Sequence, residues 1–193
     1  MPEASQARLA LLIVFSIVLL LWVAAVYPDL MSVSFYYLSM LMVATIVFLL
    51  RSAGLEIPFY FTGLSEKPYK EVVIGMCTGA LMSARLLIGL IVFPPVDVPV
   101  HALFPILVAP VVEELFFRGF LLPTLTEYLG LPLGIFLQAL AFSLFHLAWV
   151  VRIEYLASYF LSGLVLGYLV VIRGSLDSAI LAHLLYNLIG VVV

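Results

Sequence analysis

Long apolar runs without charged residues are the feature that most constrains the fold of this chain. The run 9–26 holds no charged side chain, and a second such run, 30–50, follows after only Tyr27-Pro28-Asp29. A helix of about 20 apolar residues is long enough to cross the hydrocarbon core of a bilayer. A cleaved signal peptide would have a shorter apolar core, of about 7–15 residues. We therefore expect two transmembrane helices joined as a hairpin.

The composition indicates the same class for the whole chain. Of its 193 residues, 66% are hydrophobic and only 10% are charged, whereas soluble domains are about one-quarter charged. We predict an all-α fold: a polytopic membrane helical bundle of about seven transmembrane helices. The single cysteine, Cys77, excludes an internal disulfide framework and is interpreted as a buried, inert thiol. No basic patch with interleaved aromatic residues occurs in the sequence, so we expect no nucleic-acid partner.

The remaining spans are separated by prolines, glycines and charged residues. The third span covers about 72–93 and contains Arg85, which either snorkels to the interface or pairs with an acidic residue of another helix. In the fourth span, 103–122, Pro110 precedes Glu113 by three residues and is expected to bend or break the helix, which would place Glu113 near the start of a helical piece. A turn is predicted over 123–132. The last three spans are predicted at 131–151, 155–172 and 178–193, and the sixth carries glycines spaced for close helix packing, Gly163 and Gly167.

These boundaries divide one membrane unit into two parts. Residues 1–100 hold three spans and a polar loop, and residues 101–193 hold the candidate catalytic core. The positive-inside rule favours a cytoplasmic N-terminus, because most basic residues outside the spans then fall on the cytoplasmic side. These residues are Arg8, Arg51, Lys67, Lys70 and Arg173, against Arg152 on the other side. The small size and the lack of a targeting segment favour the plasma membrane of a prokaryote.

Three charged side chains interrupt the fourth apolar run: Glu113, Glu114 and Arg118. A charge at bilayer depth costs a few kcal/mol on insertion scales, so by default it marks function or a buried pair. Glu114 and Arg118 are four residues apart, share one helical face and can form a salt bridge. Glu113 points about a quarter-turn away without that partner, which makes it a candidate acid or base. The alternative is that all three charges form a structural cluster with other helices.

Polar residues recur at a spacing of four in two later spans. Phe142 and His146 share one face of the fifth span, and His183 and Asn187 share one face of the seventh. A lone buried histidine is usually a core residue, but here polar groups on three spans point to one hydrophilic pocket in the bilayer. The predicted boundaries conflict with this convergence, because they place His146 near the end of its helix and His183 near the start, more than about 10 Å apart in depth.

The spacings Glu113-Glu114-x-x-x-Arg118, Phe142-x-x-x-His146 and His183-x-x-x-Asn187 resemble the three-motif signature of the CPBP intramembrane proteases, also called ABI proteins. That superfamily comprises the type II CAAX prenyl endopeptidases, or Ras-converting enzymes, and bacteriocin-processing relatives. The resemblance covers residues 113–187, and residues 1–100 carry no comparable signature. It implies a glutamate-dependent intramembrane endopeptidase. The implied partners are membrane lipid and a peptide or prenylated CAAX-type protein substrate.

The resemblance also implies a role for each motif residue. Glu113 would act as general base on a water molecule that His146 also holds. His183 and Asn187 would stabilise the oxyanion of the tetrahedral intermediate. No cofactor is expected. Three further residues would support this set: Glu114, Arg118 and Phe142.

The residue types leave two alternatives open. Covalent catalysis has little support, because the sequence has no serine elbow and no base close to Cys77. Glu113, His146 and His183 could instead form a two-histidine, one-carboxylate zinc site, although the sequence lacks His-Glu-x-x-His. The second alternative is a non-enzymatic protein, either a proton-coupled carrier or an immunity or scaffold factor, because proton relays use the same side chains. The absence of an inverted repeat between the halves disfavours a carrier.

Overall fold

The computed structural model describes residues 67–84, 107–146 and 154–192. Within these ranges every element is helical and no strand occurs. The elements are α1 (Pro68–Met82), α2 (Ala109–Glu114), a π-helical segment (Leu115–Leu121), α3 (Leu122–Leu129), α4 (Leu131–Phe145), α5 (Glu154–Arg173) and α6 (Asp177–Val192). The all-α prediction is confirmed for this part of the chain. The predicted spans at 9–26 and 30–50, and Arg85, lie outside the described residues.

One helix in the described ranges is long and apolar enough to cross a membrane. It covers Tyr155–Arg173, close to the predicted sixth span at 155–172, while the apolar helix α4 is shorter. Helix α6 begins one residue before the predicted seventh span. The count of about seven spans stays a prediction.

Ala109 to Leu129 form one continuous helical path with a wider π-helical turn in its middle. Pro110 lies in the first turn of α2 and Pro123 in the first turn of α3. The predicted turn over 123–132 is therefore wrong at its start, because the chain reverses only at Gly130, where φ is +80°. Pro123 follows the change from π to α hydrogen bonding, so its missing N–H interrupts the helix less than it would in an α-helix interior.

Glycines bring α5 close to α4, as their spacing predicted. A Cβ atom on Gly163 would lie 2.9 Å from Ala139 Cα, and one on Gly167 would lie 2.7 Å from Gln138 Nε2. The close approach also lets Gln138 Nε2 donate a hydrogen bond of 2.8 Å to the Gly163 carbonyl. Small residues of this kind replace the hydrophobic effect as the basis of helix packing inside a bilayer.

Helix α1 runs parallel to α6 and packs on it through two further glycines. A Cβ atom on Gly75 would lie 2.7 Å from Leu181 Cβ, and one on Gly79 would lie 2.7 Å from the Ala182 carbonyl oxygen. Pro68 starts α1 four residues before the predicted span, at a position where its missing N–H is tolerated.

Cys77 is exposed, which corrects the prediction of a buried thiol. It lies two residues from both Gly75 and Gly79, and two residues of helix turn a side chain about 200° away. Because the glycines face α6, Cys77 points away from this contact. The sequence pattern did not reveal which face of α1 would be covered.

Candidate active site

The paired glutamates lie in the last turn of α2, directly before the π-helical segment. Glu113 is 2% exposed, and Glu114 and Arg118 are both fully buried. A π-helical turn shifts the side chains that follow it to a new angle, and such turns are frequent at functional sites. Here the turn contains Arg118 and leaves both carboxyl groups inside the protein.

Glu114 holds two partners with one oxygen. Arg118 Nη1 donates to Glu114 Oε1 at 2.7 Å, as the four-residue spacing predicted. His183 Nδ1 lies 2.8 Å from the same oxygen. A carboxylate only accepts hydrogen bonds, so the proton belongs on His183 Nδ1. In the neutral ring Nε2 is then an acceptor, and it lies 3.8 Å from Glu113 Oε2.

His146 presents the same atom to the same carboxyl oxygen. Its Nδ1 lies 2.8 Å from the carbonyl oxygen of Phe142, which also only accepts, so Nδ1 donates. Its Nε2 is 3.9 Å from Glu113 Oε2. Both Nε2 atoms are too far from Glu113 for a direct hydrogen bond. Polar groups that lie beyond about 3.5 Å from each other can share a bridging water molecule.

The ring of Phe142 packs against the arginine and against the two imidazoles. Arg118 Cζ lies 4.2 Å from its centroid, a distance suited to a cation–π contact. The ring centroids of His146 and His183 lie 4.7 and 5.8 Å from that of Phe142. Phe117 adds an edge contact at 5.2 Å. Phe142 therefore forms an apolar wall of the site that contacts the buried cation and both imidazoles.

The structure thus brings together Glu113, His146 and His183, although the predicted helix boundaries had separated the two histidines in depth. Asn187 follows His183 by one turn of α6 and is half-buried. The roles implied for these four residues stay predictions.

One aromatic residue at the site is absent from the three motifs. Tyr159, on α5, stacks on His146 with ring centroids 4.0 Å apart and planes 19° apart. The sequence held a signal for it, because Tyr159 precedes Gly163 by one turn and so lies on the helix face that packs against α4.

The distances also bear on the zinc alternative. Ligand atoms around tetrahedral zinc, with bonds of about 2.0–2.1 Å, lie roughly 3.3–3.4 Å apart. The two Nε2 atoms lie 3.8 and 3.9 Å from Glu113 Oε2, which is wider than this. In the described ranges no group of three or more His, Cys, Asp or Glu side chains is arranged to hold a metal ion. The expectation that no cofactor is required stays a prediction.

Comparison with known families agrees with the motif resemblance. Residues 95–189 match the family model described as type II CAAX prenyl endopeptidase, Rce1-like. The match includes all three motifs and Tyr159, but not α1. Comparison with curated proteins and with solved structures gives no match. The part of the chain that carries the candidate site, residues 95–189, is thus similar to the Rce1-like family of type II CAAX prenyl endopeptidases.

Proposed function

We propose that this protein is a multi-pass intramembrane endopeptidase that hydrolyses a peptide bond near the C-terminus of a prenylated, CAAX-type substrate. The observation that carries the proposal is the arrangement of three atoms. Glu113 Oε2 faces the Nε2 atoms of His146 and His183 at 3.9 and 3.8 Å, with all three side chains buried. The family match supplies the substrate class. Membrane lipid would surround the prenyl group and the helices, and the N-terminus would lie in the cytoplasm of a prokaryote.

In this mechanism Glu113 and His146 hold the attacking water. The water donates one hydrogen to Glu113 Oε2 and the other to His146 Nε2, which accepts because Nδ1 already donates to Phe142. Its oxygen lone pair is then free to attack the scissile carbonyl carbon. Glu113 takes a proton as the C–O bond forms and gives it to the amine nitrogen as the C–N bond breaks. No covalent enzyme intermediate is required.

His183 and Asn187 would stabilise the negative charge on the carbonyl oxygen. Because His183 Nδ1 is held by Glu114, the ring can donate to an oxyanion only through Nε2, and therefore only as an imidazolium. Glu114 would stabilise that cation and fix the ring orientation, as the buried aspartate does in serine protease triads. Asn187 would supply a neutral amide donor. Loss of one such donor typically lowers kcat by about 10²–10³.

The test is cleavage of a prenylated CAAX-type peptide by the protein reconstituted in liposomes. Glu113→Gln removes the base and should lower kcat by about 10²–10⁴, the usual contribution of general base catalysis. Glu127→Gln is the matched control, because Glu127 is an exposed glutamate on the adjoining helix α3. It should cleave like the unsubstituted protein. Full activity of Glu113→Gln would refute the proposal.

Two further measurements on the same liposomes address the alternatives. A metal chelator should leave cleavage unchanged, and abolition of cleavage that zinc restores would establish the metal mechanism instead. The buried Glu113 and histidine set is also what a proton relay uses, so proton flux is measured in parallel. Cleavage without flux supports the protease, whereas flux without cleavage supports the carrier.

A further inference from the structure

The ring of His146 is restrained at one edge by a hydrogen bond and on one face by a second aromatic ring. It caps the C-terminal end of α4, and in the described part of the chain its ring makes a hydrogen bond from Nδ1 to the carbonyl oxygen of Phe142. The imidazole ring turns about its Cβ–Cγ bond, and the hydrogen bond on Nδ1 restrains that rotation from one edge of the ring. The position of Nε2, on the opposite edge of the ring, depends on the same rotation. A contact on the ring face restrains it further.

Tyr159 supplies this contact. Its ring lies parallel to the imidazole, with centroids 4.0 Å apart and planes 19° apart. The neighbouring rings of Phe142 and Phe145 meet His146 at 59° and 86°, so they touch it at an angle and do not cover a face. Within the described residues Tyr159 is the stacking partner of this imidazole. Rotation of the histidine ring would collide with the phenol ring.

The backbone that carries Tyr159 is itself attached to α4 on both sides. Three residues earlier, the Leu156 carbonyl accepts a hydrogen bond of 2.7 Å from Ser143 Oγ. Four residues later, Gly163 approaches Ala139 so closely that a Cβ atom would lie 2.9 Å from Ala139 Cα. Tyr159 therefore moves with the helix that carries His146. A side chain held in this way transmits the geometry of two packed helices to one ring.

We propose that Tyr159 is a positioning residue that holds the His146 imidazole with Nε2 directed at Glu113. This inference rests on the proposed function, and it adds helix α5 to the elements that build the catalytic centre. The aromatic ring of Tyr159, and not its hydroxyl group, holds the His146 imidazole, because the contact is a stack of ring faces. Tyr159→Phe should therefore preserve the effect and Tyr159→Leu should abolish it.

The experiment measures cleavage and a spectroscopic signal on the full chain. Tyr159→Leu should lower kcat by about 10–100-fold with little change in KM, because a displacement of about 1 Å can cost 10²-fold in rate. Tyr159→Phe should restore kcat to within about threefold of the unsubstituted protein. Tyr168→Leu is the matched control, a loss of an exposed tyrosine from the same helix, and should have no effect.

The NMR resonance of the His146 ring proton between the two nitrogens separates this inference from the proposed function. The stacked ring should shift that resonance upfield in the unsubstituted protein and in Tyr159→Phe, and the shift should be lost in Tyr159→Leu. This readout needs no substrate, so it stands even if no peptide is cleaved. Equal kcat in the Leu and Phe variants, or an unchanged His146 resonance in Tyr159→Leu, would overturn the assignment. An equal kcat loss in Tyr168→Leu would do the same, because it would assign the effect to helix stability.

Discussion

Two arginine–glutamate pairs in the described ranges differ in nearly every respect. Arg118 and Glu114 are four residues apart, fully buried, and joined by a single contact of 2.7 Å. Arg173 and Glu71 are 102 residues apart and join the end of α5 to the start of α1. That second pair is bidentate, with Nε donating to Oε2 at 3.2 Å and Nη2 donating to Oε1. Its arginine is partly exposed.

The difference between the two pairs indicates a different role for each. In the buried pair, Arg118 Nε and Nη2 and Glu114 Oε2 have no hydrogen-bond partner among the described residues. A buried donor without a partner costs about 1–3 kcal/mol, so this pair is poorly optimised for stability. Its carboxylate instead uses one oxygen to hold His183. The Arg173–Glu71 pair matches two donors to two acceptors and attaches α1 to the bundle. Departures from good local pairing are expected where function requires them.

The largest effect on stability is expected where the buried pair is cut. Glu114→Gln removes the carboxylate that contacts the buried Arg118 charge, which should lower the free energy of unfolding by about 3–5 kcal/mol. Unfolding of the purified protein by denaturant in mixed micelles measures it. Glu113→Gln, one residue away, should change stability far less, because the 2.7 Å contact of Arg118 is with Glu114.

A double substitution sharpens this result. Glu114→Gln with Arg118→Met removes both charges and should recover part of the stability that Glu114→Gln loses, because no uncompensated cation is left. Activity should not recover, since His183 Nδ1 still lacks its carboxylate. A loss below about 1 kcal/mol for Glu114→Gln alone would contradict our account of the buried pair.

An intermediate loss of stability is expected from a substitution at the contact between α1 and α6. Gly79→Leu places atoms where even a Cβ would lie 2.7 Å from the Ala182 carbonyl oxygen, so the helices must separate. Overpacking of this kind typically costs about 1–3 kcal/mol. Cys77→Leu adds a side chain of the same final size to the exposed face of α1 and should stay within about 0.5 kcal/mol. Equal losses in both variants would show that the glycines do not define the docking face.

The same substitution tests whether α1 matters for the catalytic centre. Helix α6 carries the α1 contact on one face and His183 on another. A displaced α6 should move His183 relative to Glu113, so Gly79→Leu should also reduce cleavage. Cleavage at the normal rate would confine α1 to a purely stabilising role.

Local patterns in the sequence were sufficient for much of the fold. Apolar run length placed α5 and α6 within one residue of their observed ends at all four boundaries, because burial in an apolar medium constrains every residue of such a run. The turn beginning at Pro123 was wrong because the π-helical segment before it has no recognisable pattern in the sequence. The exposure of Cys77 was missed because it depends on which face of α1 the glycines bring against α6.

The candidate site likewise has one contact that the sequence predicted and others that it could not predict. Spacing along one helix predicted the contact of Glu114 with Arg118, because residues four apart are neighbours on any helix. The approach of His146 and His183 to Glu113 could not be derived from spacing, since it depends on how three helices pack. The division of labour between Nδ1 and Nε2 likewise required the positions of the Phe142 carbonyl and of Glu114.

The smallest effect on stability is expected at the Arg173–Glu71 pair. Glu71→Gln removes the charge but keeps an acceptor for Arg173, so the melting temperature should fall by only about 1–4 °C. High salt should narrow the difference from the unsubstituted protein, because ions screen partly exposed charges. Cleavage should be unchanged, since the pair joins the end of α5 to the start of α1 and is not part of the contacts among Glu113, His146 and His183. A loss as large as that of Glu114→Gln, unaffected by salt, would mean that bidentate pairing at a helix end constrains this fold as strongly as the buried charges do. The difference in solvent exposure between the two arginine–glutamate pairs would then not explain how much each contributes to stability.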